Sequence, residues 1–195
     1  MRDVRWWMAA LLAVALAGLV AALVQRGGDD EVGGDVFVVG DSLTVTAGGS
    51  ELGPDGWQVH ARNGRTTAEG IEVVRANDLP QGVVVIVALG TNDHLDLAET
   101  YGRRIDEMVE AIGPGHRIIW VNVDTHTADL AGAAAGVNAA IAAAPNRHRH
   151  VEVADWDRYV TTVEGFDAMR AGDGIHYVEA GSVVRSRWMQ GLVER

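Results

Sequence analysis

Val83–Leu89 reads VVVIVAL, and the residues that follow it, Gly90–Asp93, read GTND. The apolar run is rich in β-branched residues, stands between Gly82 and Gly90, and is too short for a core helix. It shows no polar–apolar alternation. A strand buried on both faces reads this way, and such strands belong to parallel sheets covered by helices on either side. Weaker runs lie outward from it: Trp57–Ala61 (WQVHA) and Val36–Val39 (VFVV) upstream, Arg117–Val123 (RIIWVNV) and Val151–Trp156 (VEVADW) downstream. Between them fall helix-forming stretches, Thr66–Ala76, Ala98–Ile112, Ala128–Ala144 and Glu179–Val193. In the Ala-rich one, Val137 and Ile141 stand four apart, as on one helix face. No internal repeat interrupts the series. Strand–helix alternation predicts an α/β domain over residues 35–195, doubly wound and flavodoxin-like, in three α/β/α layers around a five-stranded parallel sheet. Trp57, Trp120 and Trp156 are expected in its core.

Ligands of such sheets bind at the carboxyl ends of the strands. The segments expected there are Gly40-Asp41-Ser42-Leu43 after the first strand, Asn63-Gly64-Arg65-Thr66 after the second and Gly90-Thr91-Asn92-Asp93 after the third. Asp173-Gly174-Ile175-His176 stands near the C-terminus. Acyl transfer needs these residue types: a hydroxyl nucleophile, a histidine to take its proton, an acid to orient the histidine, and donors for an oxyanion. Each also has a plainer reading. Asp41 or Ser42 would serve as an ordinary helix N-cap. Asn92 and Asp93 would cap the next helix, and His176 would be a surface histidine. Asp124, Thr125 and His126, after the fourth strand, either line an acyl or alcohol pocket or form a polar turn.

The four segments, in this order, resemble those of the SGNH hydrolases, also called GDSL esterases and lipases, and they span nearly all of the chain beyond its N-terminal region. The resemblance implies Ser42 as nucleophile, with Asp173 and His176 completing a triad. The oxyanion donors it implies are the N–H groups of Ser42 and Gly64 and the side-chain amide of Asn92. The GDSL and GTND segments match most specifically; the surroundings of Gly64 match loosely. WVNV at 120–123, Asn138, Asp155-Trp156 and DGIHY at 173–177 are similar to the SGNH domains attached to bacterial membrane acyltransferases that modify cell-surface polysaccharide. A G-x-S-x-G elbow, expected of an α/β-hydrolase, is absent from the sequence.

Composition narrows the chemistry. There is no Cys, which excludes disulfides, thiolate metal sites and a Cys nucleophile. The seven histidines are scattered, and His148-Arg149-His150 has no acidic or His partner at ligand spacing, so neither metal nor other cofactor is expected. The net charge of -11, with every basic residue Arg, gives no electrostatic reason to bind polyanionic nucleic acid.

Trp6–Val24 is uncharged and apolar on every face, and as a helix would span roughly 28 Å at about 1.5 Å per residue. Arg2 and Arg5 precede it; Asp29, Asp30 and Glu31 follow. Residues 1–26 are therefore expected to be a transmembrane signal-anchor, or else a cleaved signal peptide, with 27–34 as a linker and the domain outside the cytoplasm. The expected activity is hydrolysis of carboxylic O-acyl esters through an acyl-enzyme, on carbohydrate or lipid. Transfer of the acyl group to another alcohol, lysophospholipase or thioesterase action, and a non-catalytic cell-surface binding module are the alternatives.

Overall fold

The computed structural model describes residues 36–194 apart from 50, 51, 54, 55, 128, 129, 131 and 133. The expected anchor and linker, residues 1–34, lie outside the described residues. Among the described residues no helix is long and apolar enough to cross a membrane.

Five strands form one parallel sheet: β1 (Val36–Gly40), β2 (Trp57–Ala61), β3 (Val84–Ala88), β4 (Arg117–Val121) and β5 (Val151–Ala154), in the order β2-β1-β3-β4-β5. This is the expected doubly wound sheet. Among the described residues six α-helices flank it: α1 (Ser42–Thr46), α2 (Thr67–Arg75), α3 (Ala98–Ile112), α4 (Ala135–Arg147), α5 (Trp156–Val160) and α6 (Glu179–Gln190). Successive strand side chains point to opposite faces and divide the core in two. Phe37, Val39, Val85, Val87, Ile118 and Trp120 pack with apolar residues of α2, α3 and α4. Val36, Val38, Ile86, Ala88, Ile119 and Val121 pack with those of α1, α5 and α6. Trp120 and Trp156 are fully buried, whereas Trp57 is only partly so.

The strands end in line. Gly40 pairs with Ala61 on one side and Ala88 on the other, and Val121 pairs with Ala154. Residues 41–42, 62–65, 89–92 and 122–126 therefore emerge along one edge. The chain leaves β1 toward β2 on one side and returns to β3 on the other, so the reversal of direction falls between β1 and β3.

Several elements depart from their expected limits for local reasons. β4 stops at Val121, because the Asn138 amide takes both backbone groups of Val123, accepting from its N–H at 2.9 Å and donating to its C=O at 2.7 Å. β5 stops at Ala154, where Asp155 accepts from Arg158 N–H at 3.0 Å and so caps α5, a helix not anticipated. α4 starts later than expected and runs through Pro145 to Arg147. α2 begins as its sequence suggests: Thr66 and Glu69 satisfy each other's backbone N–H groups in a capping box.

Candidate active site

Asp41 is the N-cap of α1. Its Oδ1 accepts from Leu43 N–H at 2.9 Å, and the residue is 1 % exposed. The capping task is thus done by Asp41, and the Ser42 hydroxyl is not used for it. Instead Ser42 Oγ lies 2.9 Å from His176 Nε2, across 134 residues of sequence. Burial pushes the Asp41 carboxyl above its ordinary range, opposed by the nearby Arg185 cation and by the hydrogen bonds from Leu43 and Thr91.

His176 in turn places Nδ1 2.7 Å from Asp173 Oδ2. The other Asp173 oxygen accepts from the backbone N–H of Ile175 at 3.0 Å and of His176 at 2.9 Å. The His176 side-chain bond and these two N–H bonds hold the Asp173 carboxyl down at about 2. The pair rides on a tight loop. Ala171 N–H donates to His176 C=O at 2.8 Å, and Gly174 takes the left-handed turn with φ +72°. An ionised Asp173 beside Nδ1 favours the tautomer that leaves Nε2 as acceptor toward Ser42.

Gly64 and Asn92 emerge on either side of Ser42, after β2 and β3. Gly64 has φ +69°, which L side chains rarely adopt. Gly90 has φ +130°, and a Cβ there would meet Tyr101 Oη and Val123 Cγ2 at 2.9 Å. That close fit holds the turn carrying Asn92 against the core. One N–H of the Asn92 amide donates to Arg65 C=O at 3.0 Å, leaving the second for another acceptor. Among the described residues, no hydrogen bond engages the backbone N–H of Ser42 or Gly64. Asp93 does not cap the following helix; its Oδ2 accepts from both Thr67 N–H and Thr67 Oγ1, each at 2.8 Å, at the first turn of α2, whose N-cap is Thr66.

The residues after β4 form a polar turn. Asp124 is buried, and its oxygens accept from Arg170 at 2.5 and 3.2 Å, from Tyr177 Oη at 3.0 Å and from His126 N–H at 3.0 Å. Thr125 donates through N–H and Oγ1 to Asp157, at 2.6 and 2.8 Å. Asp124, His126 and Asp157 are the one group among the described residues whose spacing would suit a metal ion. Asp124 is already neutralised by Arg170 and Asp157 is committed to Thr125, so the group is satisfied as it stands.

Arg65 is quoted in the sequence reading only as part of its segment, without a role, and Arg170 and Arg185 escaped it. Each is tied to residues far away in the chain, such as Asp124 for Arg170 or the Trp156 ring 4.9 Å from the Arg185 guanidinium. No local pattern announces such pairs. Tyr177, within the quoted DGIHY, carried a signal whose meaning appears only with its partners, Trp156 Nε1 at 2.8 Å and Asp124.

No protein-family profile matches the chain, and a search of curated proteins finds no match. Solved structures do match. The C-terminal catalytic domain of peptidoglycan O-acetyltransferase A from Streptococcus pneumoniae, solved with a methylsulfonyl adduct, superposes with TM-score 0.66 at 22% identity, over 82% of this chain and 92% of that one. A lipolytic protein of the G-D-S-L family from Veillonella parvula gives TM-score 0.65 at 14% identity, over 82% and 98%. The lipase/acylhydrolase from Enterococcus faecalis gives 0.61 at 19%, over 82% and 94%. At these identities the likeness speaks for architecture: the chain has the α/β fold of the SGNH/GDSL hydrolases.

Proposed function

We propose that the chain is a serine esterase that cleaves O-acyl esters through an acyl-Ser42 intermediate. The observation that carries this reading is the hydrogen-bonded line Asp173–His176–Ser42, with links of 2.7 and 2.9 Å, at the carboxyl edge of the sheet. Ser42 Oγ attacks the ester carbonyl carbon as its proton passes to His176 Nε2. The tetrahedral oxyanion is met by the N–H groups of Ser42 and Gly64 and the free amide N–H of Asn92. Collapse breaks the ester C–O bond, and the departing alcohol takes the proton from Nε2. Water then attacks acyl-Ser42, gives a proton to Nε2, and the second collapse releases the carboxylic acid and returns the proton to Ser42. Asp173 stays ionised throughout and stabilises the imidazolium.

The substrate we favour is an acylated carbohydrate of the cell envelope. A groove of about 630 Å³ starts beside Tyr177 and at Thr46, one helical turn from Ser42. Its lining is mixed: Ser186, Glu179 and Arg187 offer hydroxyl and charged groups beside the apolar surfaces of Ala47, Tyr177 and Val183, a combination that a sugar ring with its hydroxyls would fit. A sugar hydroxyl replacing water in the second half-reaction would turn hydrolysis into acyl transfer. The likeness to the O-acetyltransferase domain favours testing this second reading beside the first. The export expected from Trp6–Val24 would put the domain where envelope polymers lie.

The test uses the full chain with p-nitrophenyl acetate and with an O-acetylated oligosaccharide, with and without an unacetylated sugar acceptor. Released acetate means hydrolysis, and acetylated acceptor means transfer. Methanesulfonyl fluoride should inactivate the protein and leave one methylsulfonyl group on the peptide containing Ser42. Activity that survives Ser42→Ala would overturn the reading. Protease added to spheroplasts should digest the domain; protection until lysis would refute its export.

A further inference from the structure

Arg65 stands at the end of β2, where an exposed loop residue would be expected, yet it is 8 % exposed. Its Nη1 donates to Gly40 C=O at 3.0 Å and to His60 C=O. Gly40 is the last residue of β1, two before Ser42, and its carbonyl also accepts from Arg62 N–H at 3.2 Å. The Arg65 carbonyl receives the Asn92 amide at 3.0 Å. The residue directly before it is Gly64. One residue thus ties its side chain to the strand that presents Ser42, adjoins Gly64 and, through its main-chain carbonyl, holds one N–H of the Asn92 amide.

The charge is as notable as the bonds. Among the described residues no carboxylate forms a salt bridge with Arg65. Its acceptors are main-chain carbonyl oxygens; burial and Arg62 disfavour its charged form, and the carboxylates of Glu69 and Asp41, which do not bond to it, offset this only in part. A buried cation without a direct counter-ion is costly, and a neutral donor would satisfy the same two carbonyls. A guanidinium stays charged at any working pH, so positive potential is kept behind the three donors that face the oxyanion.

We infer that Arg65 is the positioning residue that assembles the oxyanion-binding site, holding the Ser42 strand, Gly64 and the Asn92 amide in one frame and adding positive potential behind it. The inference rests on the esterase reading above. Because the donors act on charge that develops in the transition state, loss of Arg65 should fall on kcat rather than on KM.

The experiment compares the full chain with Arg65→Met, Arg65→Lys, Asn92→Ala and Arg65→Met/Asn92→Ala, using p-nitrophenyl acetate, with Ser42→Ala as control. Arg65→Met should lower kcat about 30- to 300-fold with KM within about twofold, in the range of one lost oxyanion donor. Arg65→Lys, which keeps charge but not the fork, should recover at least about threefold of that loss. In the Asn92→Ala background the further loss from Arg65→Met should shrink below about fivefold, since Asn92 is then no longer there to be placed. Fully multiplicative losses, a change confined to KM, or wild-type kcat in Arg65→Met would each overturn the inference. Should Arg65→Met fail to fold by circular dichroism, Arg65→Lys alone decides: kcat equal to wild type would refute it. Activity in Ser42→Ala would instead fault the esterase reading itself.

Discussion

The loop from Arg170 to Tyr177 is served by two carboxylates that differ in almost every respect. An antiparallel bridge between Arg170 and Tyr177 pinches its ends together, and both side chains reach inward to Asp124. There the side chains of Asp124 and Arg170 are 3% and 9% exposed. At the loop's tip Asp173 and His176 are 51% and 36% exposed. The inner pair is largely withdrawn from solvent, and Arg170 also reaches the exposed Asp167 at 3.4 Å. The outer pair meets solvent and ends on the Ser42 hydroxyl. Burial therefore sorts two acid–base pairs in one loop into a clamp that joins the loop's ends and a solvent-facing pair, the one proposed to move a proton.

The largest effects should come from the tip. His176→Ala should lower kcat on the order of 10⁶-fold and Asp173→Asn on the order of 10⁴-fold, because the histidine moves the proton whereas the aspartate orients the imidazole and stabilises its charge. Neither should shift the thermal unfolding midpoint much. A large drop in that midpoint for Asp173→Asn would erase the contrast with the clamp.

The clamp should respond the other way. Asp124→Asn takes away the principal counter-charge of Arg170, leaving only the exposed Asp167 at 3.4 Å, and should cost about 3 kcal/mol, read from urea denaturation. Replacing both partners together, Asp124→Leu with Arg170→Met, should recover most of that stability. If the double replacement is as unstable as the single one, the pair does more than neutralise itself.

Tyr177→Phe is the gentler probe. It removes the hydroxyl that accepts from Trp156 Nε1 and donates to Asp124, and should cost about 1 kcal/mol, since Asp124 keeps Arg170. A loss approaching that of Asp124→Asn would make Tyr177 the principal partner.

The smallest effect is in the acid range. The folded pKa of Asp173, about 2, lies below its ordinary 3.8. Its contribution to stability is therefore complete above about pH 4 to 5 and fades as pH falls toward 2. Asp173→Asn should flatten the stability profile slightly between pH 5 and 2. Asp124 is also held low: burial opposes this, but the Arg170 pairing outweighs it. Asp124→Asn should thus flatten the same window. Equal flattening by both would mean that exposure does not weaken the outer pair.

Much of the fold was legible in the sequence because burial on both faces leaves a strand no choice but apolar residues, as in Val83–Leu89. The segments expected at the carboxyl edge were legible for a related reason: Gly40, Gly64 and Gly90 sit where the backbone turns sharply or lies close to neighbours, and polar residues follow them at once. Helix and strand ends were less legible. β4 and β5 end where Asn138 and Asp155 intercept backbone groups, and nothing near Val123 in sequence announces Asn138.

For the site, the sequence alone determined where the candidate side chains stand, Ser42, Asn92, Asp173 and His176, and that Asp173 and His176 are three residues apart. It left open whether Asp41 or Ser42 caps α1, and whether Asp124 faces a ligand or the core. Only the tertiary structure decided these. Asp41 takes the cap and frees the Ser42 hydroxyl, Asp124 turns inward to Arg170, and Arg65 joins β1, Gly64 and Asn92. The Asp41 cap is made to Leu43, two residues on, but the partners of Ser42, Asp124 and Arg65 lie 25 to 134 residues away. Local propensity acts over one helical turn or one tight loop; burial and charge pairing act between whatever the folded sheet brings together.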